Sequence, residues 1–149
     1  MGRERINLDY EECLRKRKIR PFSRGKSIVR REIESAASDL EIAEKTYLDE
    51  NYKWATIQLY YSMFHSARAL LYSSNLREHS HFCLVAAIQA LFVETRQFSN
   101  SLLEGLKEAK SLREDADYYG RWSKKSCKKL LDTAHQFLDQ AKIVVTERR

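Results

Sequence analysis

Residues 52–73 read YKWATIQLYYSMFHSARALLYS, and this stretch decides the fold. Its apolar side chains recur at three- and four-residue steps, and they cover most of the surface of the helix that this spacing predicts. One stripe consists of Trp54, Ile57, Tyr61, Phe64 and Leu71, and a second set consists of Leu59, Tyr60, Met63, Ala67 and Leu70. A helix that is apolar nearly all round is surrounded by other helices, so we expect it to be the centre of a bundle.

Amphipathic segments flank this central helix on both sides. One precedes it and ends near residue 50, and three follow: a helix capped by Ser80, a second that stops near Gly120, and a last one from about Ser123. A short charged helix from about Leu8 to Ile19 stops before Pro21, the single proline. The predicted fold class is all-α, a four- to five-helix up-and-down bundle with a short basic N-terminal helical extension.

Composition restricts the class of protein. Four glycines and one proline in 149 residues are too few for a strand-rich fold, which needs frequent turns. The three cysteines match no zinc or CxxC spacing, so we expect buried free thiols in a cytoplasmic protein. No run of eighteen apolar residues occurs, so we expect no contact with a membrane.

The positive charge is concentrated at the N-terminus. Residues 1–31 carry eleven Lys and Arg against four Asp and Glu, a balance of +7, whereas the rest of the chain has a balance of −1. We therefore divide the chain into a basic extension, residues 1–27, and a helical bundle, residues 28–149. Such an extension can contact nucleic acid, dock on an acidic partner protein, or simply stay solvated. The residues for such contacts are Arg15, Lys16, Arg17, Lys18, Arg20, Arg24 and Lys26.

Candidate ligand-binding residues lie in LREDADYYGRW, residues 112–122. Arg113 and Asp117 are four residues apart and project from one helix face, where they can pair. With Tyr118 or Tyr119 beside it, the guanidinium suits a phosphate or a nucleotide. An ordinary surface ion pair is the alternative. Arg68, on the central helix, needs either an internal carboxylate or a ligand phosphate.

The histidines suggest neither catalysis nor a metal site. His79, His81 and Cys83 alternate in HSHFC, but at a predicted boundary between loop and helix alternate residues diverge. We predict no metal and no cofactor.

Two segments of the sequence resemble those of a known family. NYKWATIQLYYSMFHSARALLYSSNLREHSHFCLV, residues 51–85, and LREDADY, residues 112–118, resemble the signatures of HEPN-domain proteins, the higher eukaryote and prokaryote nucleotide-binding domain. The resemblance covers about residues 32–140. It implies a helical bundle that is usually a homodimer and often acts with a minimal nucleotidyltransferase in a toxin–antitoxin-like pair.

The resemblance also implies where catalysis would lie. Catalytic members are metal-independent ribonucleases in which an Arg holds the scissile phosphate and a His, separated from it by four to six residues, transfers protons. Here Arg113 matches the Arg, but Tyr118 stands where the His belongs and the next histidine is His135. Tyrosine, with an ordinary pKa of ~10 against ~6.5 for imidazole, is a poor proton shuttle at neutral pH.

Three functions follow as hypotheses. The preferred one is a nucleotide- or RNA-binding and dimerisation module that partners a nucleotidyltransferase. The second is a ribonuclease toxin that uses Arg113 with Tyr118 or Asp117. The third is a structural scaffold in which Arg113 and Arg68 are members of ion pairs.

Overall fold

The computed structural model describes residues 2–147, with side chains described for residues 8–147. The all-α prediction is confirmed. The boundary between residues 27 and 28 stays a prediction, and its outer limits at residues 1 and 149 lie outside the described residues. The helices are α1 (Gly2–Arg15), α2 (Gly25–Leu48), α3 (Tyr52–Tyr72), α4 (His81–Ile88), α5 (Asn100–Tyr118) and α6 (Lys124–Glu147).

Helix α3 is the centre of the bundle, as its composition predicts. It packs against α2, α5 and α6, and its middle residues Leu59, Met63 and Leu70 are fully buried. Ser62 is buried with them because its hydroxyl donates a hydrogen bond of 2.8 Å to the carbonyl of Ala36 in α2. None of the helices within residues 2–147 is long and apolar enough to cross a membrane.

Two residues of the predicted core stripe are not in the core. Trp54 keeps 49% and Tyr61 keeps 38% of its surface exposed. Both lie on the side of α3 that faces the end of α5 and the linker that follows it, where the neighbouring helix no longer covers α3. The helical period places these side chains on one face, but it does not tell where the covering helix ends.

The basic extension differs from the predicted single helix over residues 8–19. Helix α1 ends at Arg15, Arg17 adopts a positive φ of 59°, and the chain continues as strand β1 (Ile19–Pro21). This strand pairs antiparallel with β2 (Leu76–Glu78), in the predicted loop after α3. The pairing buries Ile19, which keeps only 2% of its surface exposed. Because the two strands are almost sixty residues apart, the local periodicity of the sequence does not predict their contact.

The predicted helix ends are largely correct. The Ser80 hydroxyl accepts the backbone N–H of Cys83 at 3.1 Å and so caps α4. Gly120 follows α5 with φ +62°, a conformation that glycine adopts without strain. Beyond α4 the chain forms one π-helical turn, Gln89–Val93, in place of a continuous α-helix.

The prediction of free thiols is wrong for two of the three cysteines. Cys13 in α1 and Cys83 in α4 form a disulfide across seventy residues, while Cys127 is free and buried. An odd number of cysteines leaves room for one bridge, and only the packing of α1 on α4 brings this pair together. The bridge ties the basic extension to the bundle.

Candidate functional site

Arg113 lies in the penultimate turn of α5, where it comes against the exposed side of α3. Helix α5 presents Leu106 and Ala109 to the core on the same side, and both are fully buried. The guanidinium of Arg113 donates a hydrogen bond of 3.2 Å to the hydroxyl of Tyr61. Its side chain keeps 21% of its surface exposed, so the charge is held at the rim of the core rather than in open water.

Three tyrosine rings surround this guanidinium. Its central carbon lies 5.9 Å from the ring of Tyr60, 5.6 Å from that of Tyr61 and 5.3 Å from that of Tyr118. Each distance is within the range of a cation–π contact, which arginine makes through its flat, weakly hydrated face. Contacts with these rings therefore help to position the charge.

One carboxylate balances the charge. Asp117, one turn further along α5, lies 3.2 Å from the guanidinium of Arg113, as the four-residue spacing predicts. Burial lowers the pKa of Arg113, but Tyr61, Tyr118 and Asp117 raise it by more, so the net direction is upward. The group is thus a permanent cation. Within the described residues its Nε is buried without a hydrogen-bond partner.

Tyr60 connects this cluster to His81, at the start of α4. The Tyr60 hydroxyl and His81 Nδ1 lie 3.3 Å apart, in hydrogen-bonding contact. Burial raises the pKa of Tyr60 to about 12 and lowers the pKa of His81 to about 4. Both groups are therefore neutral at pH 7. His81 also lines a cleft of about 760 Å³ between α4 and α5, together with Lys107 and Lys110.

The two adjacent tyrosines of the candidate site separate. Tyr118 contacts Arg113, whereas the ring of Tyr119 lies 5.4 Å from the guanidinium of Arg121 in the linker after α5. Both rings are largely exposed. The structure thus brings Tyr118 and Asp117 to Arg113 and places Tyr119 at the edge.

Arg68 lies outside this cluster. Its guanidinium stacks between Phe64 and Tyr72, at 5.3 and 5.2 Å, and its Nε lies 3.5 Å from the carboxylate of Glu78. Glu78 is buried, and burial raises its pKa. Glu78 is thus an internal carboxylate partner for Arg68, which is one of the two alternatives that the sequence allows.

A second polar cluster lies beside Arg68 on α3. His65 Nδ1 lies 2.6 Å from a carboxylate oxygen of Glu32 in α2, and its Nε2 lies 3.7 Å from Asp39. The hydrogen bond to Glu32 raises the pKa of His65, although burial and Arg68 oppose the rise. This cluster holds α2 on α3 and has no contact with Arg113.

The basic extension forms an exposed surface away from Arg113. It begins at the end of α1 and follows β1 to the start of α2, and most of its candidate contact residues are exposed: Arg15, Lys16, Arg17, Lys18, Arg24 and Lys26. Arg20 is half-buried and contacts the ring of His79.

The possible metal ligands of HSHFC have three separate partners. His79 contacts Arg20, His81 contacts Tyr60, and Cys83 is in the disulfide. Among the described residues no group of three or more His, Cys, Asp or Glu is arranged to hold a metal ion.

Sequence reasoning missed Tyr60, Tyr61 and His81 as neighbours of the candidate site. Tyr60 and Tyr61 resemble core residues because they occur in an apolar helix, and His81 is more than thirty residues from Arg113. No local pattern marks these contacts, because each of them joins residues on different helices.

Comparison with known proteins relates the chain to a family. The family model described as the HEPN domain matches residues 29–144, which confirms the resemblance. Two proteins of Methanocaldococcus jannaschii are also similar. "Putative toxin MJ0142" is 32% identical over 112 residues, which cover 74% of this chain and 76% of that protein. "Putative toxin MJ0605" is 27% identical over 116 residues, which cover 77% of this chain and 87% of that protein.

The raised pKa of His65 predicts a pH-dependent contribution to stability. A group whose pKa is higher in the folded state stabilises the fold fully below its unfolded pKa, and the stabilisation disappears as the pH rises through the folded value. His65→Gln should therefore lower the melting temperature more near pH ~6 than near pH ~9. Thermal unfolding followed by circular dichroism measures the difference.

Glu32→Gln should reproduce this trend, because it removes the carboxylate that raises the pKa of His65. An equal loss of melting temperature at both pH values would contradict the assignment of the ion pair.

Proposed function

This chain belongs to the HEPN domain family, and from that premise we propose that it is a nucleotide- or RNA-binding module which captures a phosphate at Arg113. The observation that carries the proposal is the guanidinium held among Tyr60, Tyr61 and Tyr118, with Asp117 as its single carboxylate partner among the described residues. Its planar set of donors matches phosphate oxygens, and its position is fixed by rings rather than by further acids.

The local chemistry favours binding over cleavage. A general acid or base works best when its pKa lies near the working pH. Tyr118 occupies the position of the family histidine and is a phenol. Burial lowers the pKa of His81, which contacts Tyr60, to about 4, and raises the pKa of Tyr60 to about 12. Neither group near Arg113 exchanges protons readily at neutral pH.

A surface ion pair is the competing interpretation of Arg113 and Asp117. Exposed pairs of this kind contribute little to stability, about 0–1 kcal/mol, and need no surrounding rings. Here the guanidinium is mostly withdrawn from water, and its contacts come from two helices rather than one. This arrangement supports a bound anion as a further partner.

We further propose that the protein acts as a homodimer beside a nucleotidyltransferase-family protein in a toxin–antitoxin-like pair. The names of the two similar proteins, both with the word toxin, support this role. The exposed surface of the basic extension, which the disulfide Cys13–Cys83 holds against the bundle, offers an acidic partner a charged docking site.

The central test measures RNA binding and cleavage together. Wild type and Arg113→Ala are incubated with labelled RNA in EDTA, and binding is followed by anisotropy and cleavage by gel. We expect the wild type to bind without cutting, and Arg113→Ala to bind about ten-fold more weakly, because one charge-assisted phosphate contact is lost. Arg113→Lys should recover only part of the affinity, since an ammonium lacks the planar donors.

The matched control is Arg30→Ala, which removes one exposed, ion-paired arginine from α2 and therefore lowers the net charge equally. Cleavage by the wild type that Arg113→Ala abolishes would show a ribonuclease toxin instead. If Arg113→Ala binds RNA as the wild type does and only its melting temperature is lower, the result would favour a structural scaffold.

The partner proposal predicts a stable complex. A tagged nucleotidyltransferase encoded beside this chain should retain it during purification. The triple variant Lys16→Glu, Arg17→Glu, Lys18→Glu should not be retained by the tagged partner, because the charge of its docking surface is reversed. Retention of both forms would exclude the basic extension as the docking site. Absence of any complex would contradict the pairing itself.

A further inference from the structure

Both tryptophans of the chain lie on one surface, although they are far apart in sequence. Trp54 is in the first turn of α3, and Trp122 is in the linker between α5 and α6. Their exposed fractions are 49% and 48%, so each ring shows about half of its area to solvent. The ammonium of Lys53 lies 5.1 Å from the ring of Trp54 and 5.8 Å from that of Trp122. Two large rings therefore share one cation.

This surface is continuous with the Arg113 cluster. Trp54 and Tyr61 are seven residues apart on α3, which places them on one face two turns apart. Tyr61 contacts Arg113, and Arg113 contacts Tyr118, which precedes Trp122 by four residues. Aromatic rings and cations thus alternate along the edge of the bundle. We call the set Trp54, Tyr61, Tyr118, Trp122, Lys53 and Arg113 the aromatic surface.

The charges on and around the aromatic surface are unequally balanced. The acids at the end of α5 are engaged: Asp117 with Arg113, Asp115 with Arg121 at 3.9 Å, and Glu114 with Lys110 at 2.8 Å. In contrast, no carboxylate within the described part of the chain lies within ion-pair distance of three cations next to the tryptophans. These are Lys53, Lys124 and Lys125.

A second copy of the chain fits this surface poorly. A two-fold symmetric contact through the aromatic surface would bring the cationic patch of Lys53 and the lysines after Trp122 against the same patch of the other copy, and like charges at short distance are unfavourable. A polyanion with flat rings has the opposite character. Its phosphates neutralise the lysines, and its unstacked bases can cover the indoles.

We propose that the aromatic surface binds single-stranded RNA, with bases stacked on Trp54 and Trp122 and separate backbone phosphates held by Lys53 and by Arg113. The proposal rests on the proposed function, which places one phosphate at Arg113, and it adds the class of ligand and the residues that extend the site. Affinity from stacking tolerates any base, because every base has a flat face. Recognition is therefore of single strands rather than of a sequence.

The two tryptophans provide a direct test, because no other residue contributes indole fluorescence. A short single-stranded oligouridine is titrated into the full chain and into the variants Trp54→Phe and Trp122→Phe, each with one reporter left. We expect the emission of both reporters to be quenched as the base stacks. Affinity is measured in parallel by anisotropy of a labelled oligouridine.

Removal of the rings should weaken binding, whereas replacement by a smaller ring should not abolish it. Trp54→Ala and Trp122→Ala should each reduce affinity about ten-fold, and the phenylalanine variants much less. Ile143→Ala, which removes an exposed apolar side chain on α6, serves as the matched control and should bind like wild type. Circular dichroism confirms that each variant is folded, and an RNA duplex of equal length should quench neither reporter.

Two results would overturn the proposal. One is full affinity of both Trp54→Ala and Trp122→Ala together with no quenching of the reporter left in either phenylalanine variant. The other is a blue shift of the emission that depends on protein concentration and not on RNA, which would assign the surface to a second copy. If Arg113→Ala loses binding while the alanine variants do not, the proposed function stands and this extension of the site fails. If no form binds the oligouridine, both fail.

Discussion

The enclosure of helix α3 on several sides is the constraint on which the rest of the structure depends. An apolar helix so surrounded must find a partner for each polar side chain that it brings into the bundle. Ser62 donates to the backbone of α2, His65 pairs with Glu32, and Arg68 stacks on rings near Glu78. These contacts orient α2 and the strand pair around α3. Where the enclosure ends, toward the end of α5, the tyrosines of α3 become available to Arg113.

The candidate site follows from that opening. A guanidinium placed against Tyr60, Tyr61 and Tyr118 keeps its charge, because its flat faces need little hydration and its one carboxylate lies on its own helix. The same environment disfavours proton transfer. Burial keeps His81 unprotonated and Tyr60 protonated at neutral pH. The site thus has a fixed cation for the phosphate contact that we propose, whereas neither Tyr60 nor His81 exchanges protons readily at neutral pH.

Local and long-range features differ in how well the sequence predicts them. The central position of α3, the cap at Ser80 and the stop at Gly120 depend on residues within a few positions, so periodicity and capping rules identify them. The pairing of β1 with β2, the disulfide Cys13–Cys83 and the contact of Tyr61 with Arg113 join residues at least fifty positions apart. Nothing in a single sequence marks such contacts. The prediction that Trp54 is buried is wrong for the same reason, since the exposure of Trp54 depends on where a neighbouring helix ends.

The most direct measurement is the response of the arginine side-chain Nε–H signals in a nitrogen-15 NMR spectrum to added adenosine monophosphate. Arg113 and Arg68 are both stacked on aromatic rings, and both have a buried Nε without a hydrogen-bond partner among the described residues, so Arg68 is an internal control. We expect the Arg113 signal to move with saturable dependence on nucleotide while the Arg68 signal stays in place. An unmoved Arg113 signal, or equal movement of both, would contradict a phosphate site at Arg113.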